Sequence, residues 1–378
     1  MKSILYSSKS LLLALFCSVV LIGAGVNPVA VGIVTVAAVA LTKIPTGSLA
    51  VGLNVDQVKT ELGSYLRSNN KEVRQIIYNE AQAARYMKKV GKVKGRYPAG
   101  HTVTGHLVQG FQSVWNKIGE TKFVVNELFD YQQKVNYGFK PADILNSWYA
   151  ELYQEGKKPA DMPISKYILE KELKPRVVAD VDYLLGNGVY DANDLATFGK
   201  SMNGIKKILA DGVASSTKPM FKIPLDPLHA NNMVDQVDKF EDEIPDKLDG
   251  LITKIYMSSK NKKRYMRDYR NLYGSDTDYT KGATLVTYSG EREIVGLRCL
   301  NGSDIIFATP DNNFIELIDE IDGAENPIVT DIQIADYEVK VFMEWWLGTQ
   351  FWVNQLVLVS VTTGSGSGLT TDHELYFG

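Results

Sequence analysis

Hydrophobic and polar positions recur along this chain with two periods, and each period predicts a different element. Val55, Val58, Leu62, Tyr65 and Leu66 fall at three- and four-residue spacing, the period of a helix with one apolar face. After a break at Ser68-Asn69-Asn70, the positions Val73, Ile76, Ile77, Ala81 and Ala84 continue that period, so residues 54–90 read as helical. Gly91, Gly95, Pro98 and Gly100 end the run. Residues 121–131 are rich in β-branched and aromatic side chains, which predicts strand, and residues 132–139 extend it. Gly119-Glu120 offers a hairpin turn just before, giving an extended β-loop over residues 101–140. Aromatics exposed on such a loop are an aggregation hazard for a lone chain, and a partner surface is their natural cover.

The helical period returns at Pro141-Ala142-Asp143 and runs through Gln154, with Gly156 just past its end. A longer helix follows over residues 165–185, with Pro175 inside it to kink or split it. Residues 186–203 read as a connector, 204–210 as a short helix and 211–230 as an irregular loop. Residues 231–248 are amphipathic, with Met233, Val234, Val237 and Phe240 on one face and seven acidic residues between Asp235 and Asp249. Residues 251–257 look like a strand. Residues 258–273 form a basic helix carrying Lys260, Lys262, Lys263, Arg264, Arg267 and Arg270. The rest is mostly strand: 284–288, 293–297, 304–309, 314–318, then 333–346 and 350–361 separated at Leu347-Gly348-Thr349. The glycine- and serine-rich tail 362–378 reads as flexible.

The first fifty residues follow neither pattern. Lys2 and Lys9 precede an apolar run from Leu11 to Gly25, and Asn27-Pro28 separates it from a second run over 29–41. A basic flank, an apolar stretch and small residues are the layout of a secretory signal or membrane anchor. Each run is shorter than the ~20 residues of a spanning helix. A third reading is an apolar arm buried against neighbouring subunits. Cys17 follows Phe16, where a lipoprotein signal requires a small residue.

Composition narrows the function class. The chain has 378 residues, 45% apolar and 22% charged, a globular balance with room for more than one domain. The net charge of −3 lacks the basic excess of a protein that wraps nucleic acid. Two cysteines, Cys17 and Cys299, make neither a disulfide framework nor a four-ligand zinc site. The 20 tyrosines suit interfaces, since each offers a rigid apolar body with a polar tip. Gly199-Lys200-Ser201 resembles the end of a phosphate loop, but Asp194 stands where its first glycine belongs. Asp276-Thr277-Asp278 opens like a calcium loop, with Lys281 at the position that requires glycine. His101 and His106 match no zinc spacing, and His229 and His373 are isolated. No catalytic, cofactor or metal residues are assigned. The acidic segment 235–249 and the basic helix read equally as two solvated faces and as complementary patches on adjacent copies.

Residues 117–361 resemble major capsid proteins of tailed bacteriophages, the Hong Kong 97 type, and are similar to those of phages infecting gut Bacteroidetes-like hosts. The resemblance is carried by Leu251-Ile252-Thr253-Lys254-Ile255-Tyr256-Met257-Ser258 with the helix bearing Tyr265 and Tyr269. It continues in Val295 to Leu300, in Ile305 to Asn313 with its Ala308-Thr309-Pro310 turn, and in Gln333 to Lys340 with the aromatic strand to Trp352. It implies an α+β fold in which a helical N-terminal arm (51–100), an extended β-loop (101–140) and helices including a spine helix (141–190) lead into mixed peripheral and axial domains (191–361). It also implies self-assembly into the pentamers and hexamers of an icosahedral head, with no enzyme activity and no cofactor. The implied location is the virion, after assembly in the host cytoplasm. Portal and scaffold proteins would be further partners, and packaged DNA would be met only at the inner face. Trp115, Phe123, Phe129, Tyr131, Tyr137, Lys262, Arg264 and Arg267 are the expected subunit contacts. Many members begin with a charged scaffolding helix, where this chain has the apolar segment 1–50. A secreted or membrane-anchored surface protein is the alternative that segment keeps open.

Overall fold

Runs of β-branched and aromatic residues become strands here, and amphipathic helices pack between them. The computed structural model describes residues 55–69, 73–74, 78, 80–91, 94–156, 163–274, 285–319, 329–335, 338–362 and 376. The apolar segment 1–50, the calcium-loop look-alike at 276–280 and nearly all of the tail lie outside the described residues. The chain divides into two units, Met1–Val58 and Lys59–Gly378. Of the first, only the start of the helix Val55–Ser68 is described. Every described strand lies in the second.

In chain order the strands are β1 (Lys88–Val90), β2 (Arg96–Thr104), β3 (Thr121–Phe129), β4 (Tyr131–Phe139), β5 (Phe221–Leu225), β6 (Lys254–Ser258), β7 (Glu293–Leu297), β8 (Phe307–Ala308), β9 (Phe314–Ile318), β10 (Val329–Ala335), β11 (Glu338–Phe351) and β12 (Leu358–Thr362). They form two mixed five-stranded sheets and one separate hairpin, so the fold class is α+β. In the first sheet β11 pairs antiparallel with β10, β4 and β9, and β9 pairs parallel with β1. The second sheet runs β5-β12-β8-β6-β7. The hairpin is β2 against β3, from Arg96↔Phe129 to Thr104↔Thr121.

The acidic helix Met233–Asp242 and the basic helix Ser259–Tyr273 share one apolar cluster with the second sheet. Met233, Val237, Phe240 and Tyr265 are buried there against Ile223, Ile255, Ile294 and Leu358. Ser258 caps the basic helix by accepting the Asn261 N–H. Rings join the two sheets. Tyr256 of β6 stacks on Phe307 of β8 at 4.9 Å, and Phe314 of β9 stacks on Phe351 of β11 at 5.2 Å. Edge contacts link the pairs, Tyr256 to Phe314 at 5.7 Å and Phe307 to Phe351 at 6.0 Å.

Several expectations change. The helix predicted through residue 90 gives way to a short 3₁₀ turn, Ala83–Tyr86, and then to β1, because residues 88–90 find a parallel partner in β9. Gly119-Glu120 is not a tight turn. Strand β3 pairs with the unforeseen β2 across the intervening loop, and β4 leaves the hairpin to join β11. The loop predicted at 211–230 contains β5. Pro224 argues against a central strand, but β5 is an edge strand, where a missing N–H is tolerated. The break predicted at Leu347-Gly348-Thr349 is absent, and β11 runs straight through it. A Cβ on Gly348 would lie 2.5 Å from the Phe129 carbonyl oxygen, so this glycine marks a close backbone approach and not a turn. Of the strand read at 284–288, the described residues 285–288 make a single bridge, Val286 to Glu293.

Pro175 neither splits nor ends its helix. The segment runs unbroken over 164–187 as α-helix, then a π-helical stretch Ile168–Leu173, then α-helix again. The Lys174 N–H donates to the Leu169 carbonyl, a five-residue reach. This wider turn stands immediately before the proline, where an ordinary α-turn would set the ring against a carbonyl.

Candidate assembly surface

The β2–β3 hairpin is fixed at its base. Asp130 accepts a hydrogen bond from the Gly95 N–H and returns one from its own N–H to the Gly95 carbonyl at 3.3 Å. Gly95 has φ of 89°, a backbone conformation that favours glycine. Burial raises the Asp130 carboxyl above the usual carboxylate range, against these backbone hydrogen bonds. Ala99 and Leu128 are buried against Ile315 and Leu317 of β9, with Tyr97 and Trp352 tilted together at 5.8 Å beside them. Asn126 Nδ2 donates to the Phe351 carbonyl at 3.0 Å and ties β3 to the end of β11. Lys218 Nζ donates to the Val125 carbonyl at 2.7 Å.

The far end is bare. Loop 105–120 closes on itself through Gly105 N–H to the Glu120 carbonyl at 2.9 Å and Gln109 Nε2 to the Asn116 carbonyl at 2.6 Å. Leu107, Val108, Phe111, Val114, Trp115 and Ile118 all face outward from it, Phe111 at 98% and Trp115 at 87% exposure. Phe123 follows, exposed and laid over Gly100. A contiguous run of large apolar side chains in water marks an interaction surface.

A second feature lies under the long helix. Val177, Val181 and Leu184 of that helix, Val135 of β4 and Trp345 of β11 wall a groove of about 920 Å³. The segment 195–201 forms a further wall, and its Leu195 and Phe198 remain more than half exposed. Trp345 is 4% exposed, and its Nε1–H meets no acceptor among the described residues. A buried donor without a partner is uncommon in folded chains.

Of the residues expected to meet other subunits, Trp115 and Phe123 stand on the exposed hairpin. Phe129 is half-buried beneath the Arg96 guanidinium, 5.3 Å from the ring centre. Tyr131 is half-buried, its ring tilted against that of Tyr190 at 4.6 Å and its hydroxyl accepting from Asn203 Nδ2 at 2.9 Å. Tyr137 packs beside Phe139 of its own strand at 5.6 Å. Lys262 is half-buried with its stem over Gly296, and Arg264 reaches Asn261 and Asp304. Arg267 is exposed. The structure therefore places Trp115, Phe123 and Phe129 on one hairpin, the first two exposed, and the other five on other elements.

The acidic and basic helices pack through their apolar faces, and their charged side chains do not pair with each other among the described contacts. Asp268 of the basic helix accepts the Val234 N–H at the start of the acidic helix, at 3.0 Å. Arg292, 2% exposed, bridges Glu241 and Asp249. Burial and then the neighbouring Glu241, Asp235 and Asp242 push the Asp238 carboxyl up to about 6. Lys260, Lys263, Arg267 and Arg270 stay on the solvent side.

The apolar loop residues 107–118 escape a reading of the sequence by regular elements. Leu107, Phe111, Val114, Trp115 and Ile118 recur at three- and four-residue spacing between Gly105 and Gly119, a signal that belongs to no regular element. The phosphate-loop look-alike is part of an irregular turn, where Lys200 pairs with Asp191 at 3.2 Å. His101 Nε2 lies 2.6 Å from the Tyr376 hydroxyl. Cys299 is buried and unpaired, and burial pushes its thiol up to about 12. Among the described residues no group of three or more His, Cys, Asp or Glu side chains gathers to hold a metal, and no helix is long and apolar enough to cross a membrane.

No family model matches the chain, and no curated protein matches it. Among solved structures it is similar to a chain of the satellite phage P4 procapsid that includes the size determination (Sid) protein. That match has 10% identity and a TM-score of 0.47, covering 78% of this chain and 99% of the other. It is similar to the capsid of cyanophage A-1(L), at 13% identity and a TM-score of 0.46, covering 76% and 92%. It is also similar to the holo-SrpI encapsulin complex from Synechococcus elongatus PCC 7942, at 10% identity and a TM-score of 0.44, covering 78% and 91%.

Proposed function

We propose that this chain is a shell-forming subunit, a major capsid protein of the tailed-phage type that assembles into pentamers and hexamers of an icosahedral head. The observation that carries this reading is the β2–β3 hairpin, rigidly anchored at its base and apolar at its exposed tip. A lone chain gains nothing from holding Phe111 and Trp115 in water, whereas a repeating assembly covers them on every copy. The order of elements supports it as well: a β-loop, an unbroken long helix and two mixed sheets follow one another as the sequence resemblance implies. Such a role needs no cofactor and no catalysis. Its location is the virion, with assembly in the host cytoplasm. Portal, scaffold and packaged DNA are the partners it implies.

The test is negative-stain microscopy with sedimentation velocity on the purified full chain. Closed shells, or rings of five and six subunits, are the expected products. A chain that stays strictly monomeric at high concentration overturns the reading.

A further inference from the structure

We propose that the acidic helix Met233–Asp242 of one copy lies alongside the basic helix Ser259–Tyr273 of a second copy, carboxylates against cations. This rests on the shell-forming reading and names a contact that sets the register between copies. In the basic helix, Lys260, Lys263, Arg267 and Arg270 are exposed at steps of three, four and three residues, so they form one stripe. None of the four makes an ion pair among the described residues. The helix's own carboxylate, Asp268, is 3% exposed and turned inward onto the Val234 N–H, so the stripe carries a single sign.

The acidic helix carries the opposite stripe. Asp235, Asp238 and Asp242 recur at steps of three and four, and Glu243 follows. Asp235, Asp242 and Glu243 are exposed and make no ion pair among the described residues. Asp238 is half-buried, and its Oδ1 meets no donor among the described residues. Burial and then the carboxylates of Glu241, Asp235 and Asp242 raise its own. Cations of the same chain do not relieve this crowding. Lys239 turns to Asp226 at 3.9 Å, and Arg292 reaches Glu241 but none of the three aspartates.

Both stripes repeat about once per 5.4 Å turn, so helices laid side by side set opposite charges together turn by turn. Within one chain the two helices are fixed by their apolar faces to a common cluster and their charges do not pair, so a second copy supplies the partner. A phosphate backbone is the other partner that fits a cationic stripe. The acidic helix packed beside it and a net charge of −3 both repel a phosphate chain, whereas a second copy brings the complementary stripe with it. Exposed ion pairs add little affinity singly, so the contact steers and registers the copies and weakens with salt.

Charge reversal on the full chain tests this, with assembly read by sedimentation velocity in low and high salt. One variant carries Lys263→Glu with Arg267→Glu, the other Asp235→Lys with Asp242→Lys, all at exposed positions. Circular dichroism checks that each folds. Neutral pairs, Lys263→Gln with Arg267→Gln and Asp235→Asn with Asp242→Asn, stand in for a reversed chain that does not. Each variant alone is expected to assemble on the order of tenfold less than the parent in low salt. Mixing the two reversed chains is expected to recover assembled species, since each then meets the charge that its own copies lack. Variants that assemble as the parent does, or a mixture that recovers nothing, overturn the proposal and leave the shell reading standing. Loss confined to the basic-helix variant, together with loss of salt-sensitive retention of duplex DNA, overturns it in favour of a phosphate partner. A parent that remains a folded monomer overturns both readings.

Discussion

Leu128 and Phe111 belong to one hairpin and have opposite surroundings. Leu128 is completely buried between β3 and β9, while Phe111 is 98% exposed. Near the base, one face of the β2–β3 ladder is backed by other strands: Ala99 and Leu128 lie against β9, and Asn126 holds the end of β11. Beyond Thr104 the backing stops, and the loop is closed only by hydrogen bonds to itself. An apolar side chain thus stabilises the fold at the base and offers contact area at the tip. The residue types are alike, and the difference lies in what stands behind them.

The largest expected effect is at the base. Leu128→Ala should lower unfolding stability by about 2–5 kcal/mol, read as a shift in the urea midpoint, because it leaves a cavity under the hairpin. If the loss matches that of an exposed site, the base is not core and the comparison fails. Glu316 tests the sheet beneath. It is fully buried in β9, both its oxygens lack donors among the described residues, and burial pushes its carboxyl up to about 8 against the pull of Lys89. The folded chain therefore holds the neutral acid, whereas the unfolded chain releases the proton near the ordinary value of 4.5. This group's stability contribution is complete below pH 4.5 and falls as pH rises through about 8. Glu316→Gln should remove that slope and recover on the order of a few kcal/mol at pH 8 relative to the parent. A parent and variant with parallel melting profiles from pH 5 to pH 8 would refute the assignment.

Gly348→Ala comes next. The added methyl meets the Phe129 carbonyl and Asp130, so a loss of about 1–3 kcal/mol is expected in the same denaturation series. Asn126→Ala should cost about 1 kcal/mol, by removing the hydrogen bond to Phe351. Smallest of all in stability, Phe111→Ser should change unfolding by no more than about 0.5 kcal/mol. The same substitution should reduce assembly in sedimentation, and this separation of stability from assembly sharpens the contrast between base and tip.

Much of the helical part was legible in the sequence, because amphipathic period and end signals are local. The basic helix was read to within a residue of its observed start, with Ser258 as its cap. The course of the strands was less legible. Lys88–Val90 is a strand only because β9 lies alongside, and β5 survives Pro224 only because it is an edge. Gly348 looks like a turn in sequence and is a packing contact in space. For the candidate surface, residue type points equally to Trp115, Phe123, Tyr131 and Tyr137; the first two are exposed on the hairpin and the last two also touch rings of their own chain, since residue type does not say which face a neighbouring element will cover. Most charges of the two helices face solvent, as one of the two sequence readings has it, and only Glu241 and Asp249 are drawn to Arg292, which is distant in sequence.

The ring contacts of Tyr256, Phe307, Phe314 and Phe351 have a mechanical consequence. They stack within each sheet and meet edge to face between the sheets, so sliding one sheet over the other must break the edge contacts. The two-sheet body then behaves as a stiff tile. If copies assemble as proposed above, any bending is expected to fall on loop 105–120, which is closed by hydrogen bonds within itself, before it falls on the two-sheet body.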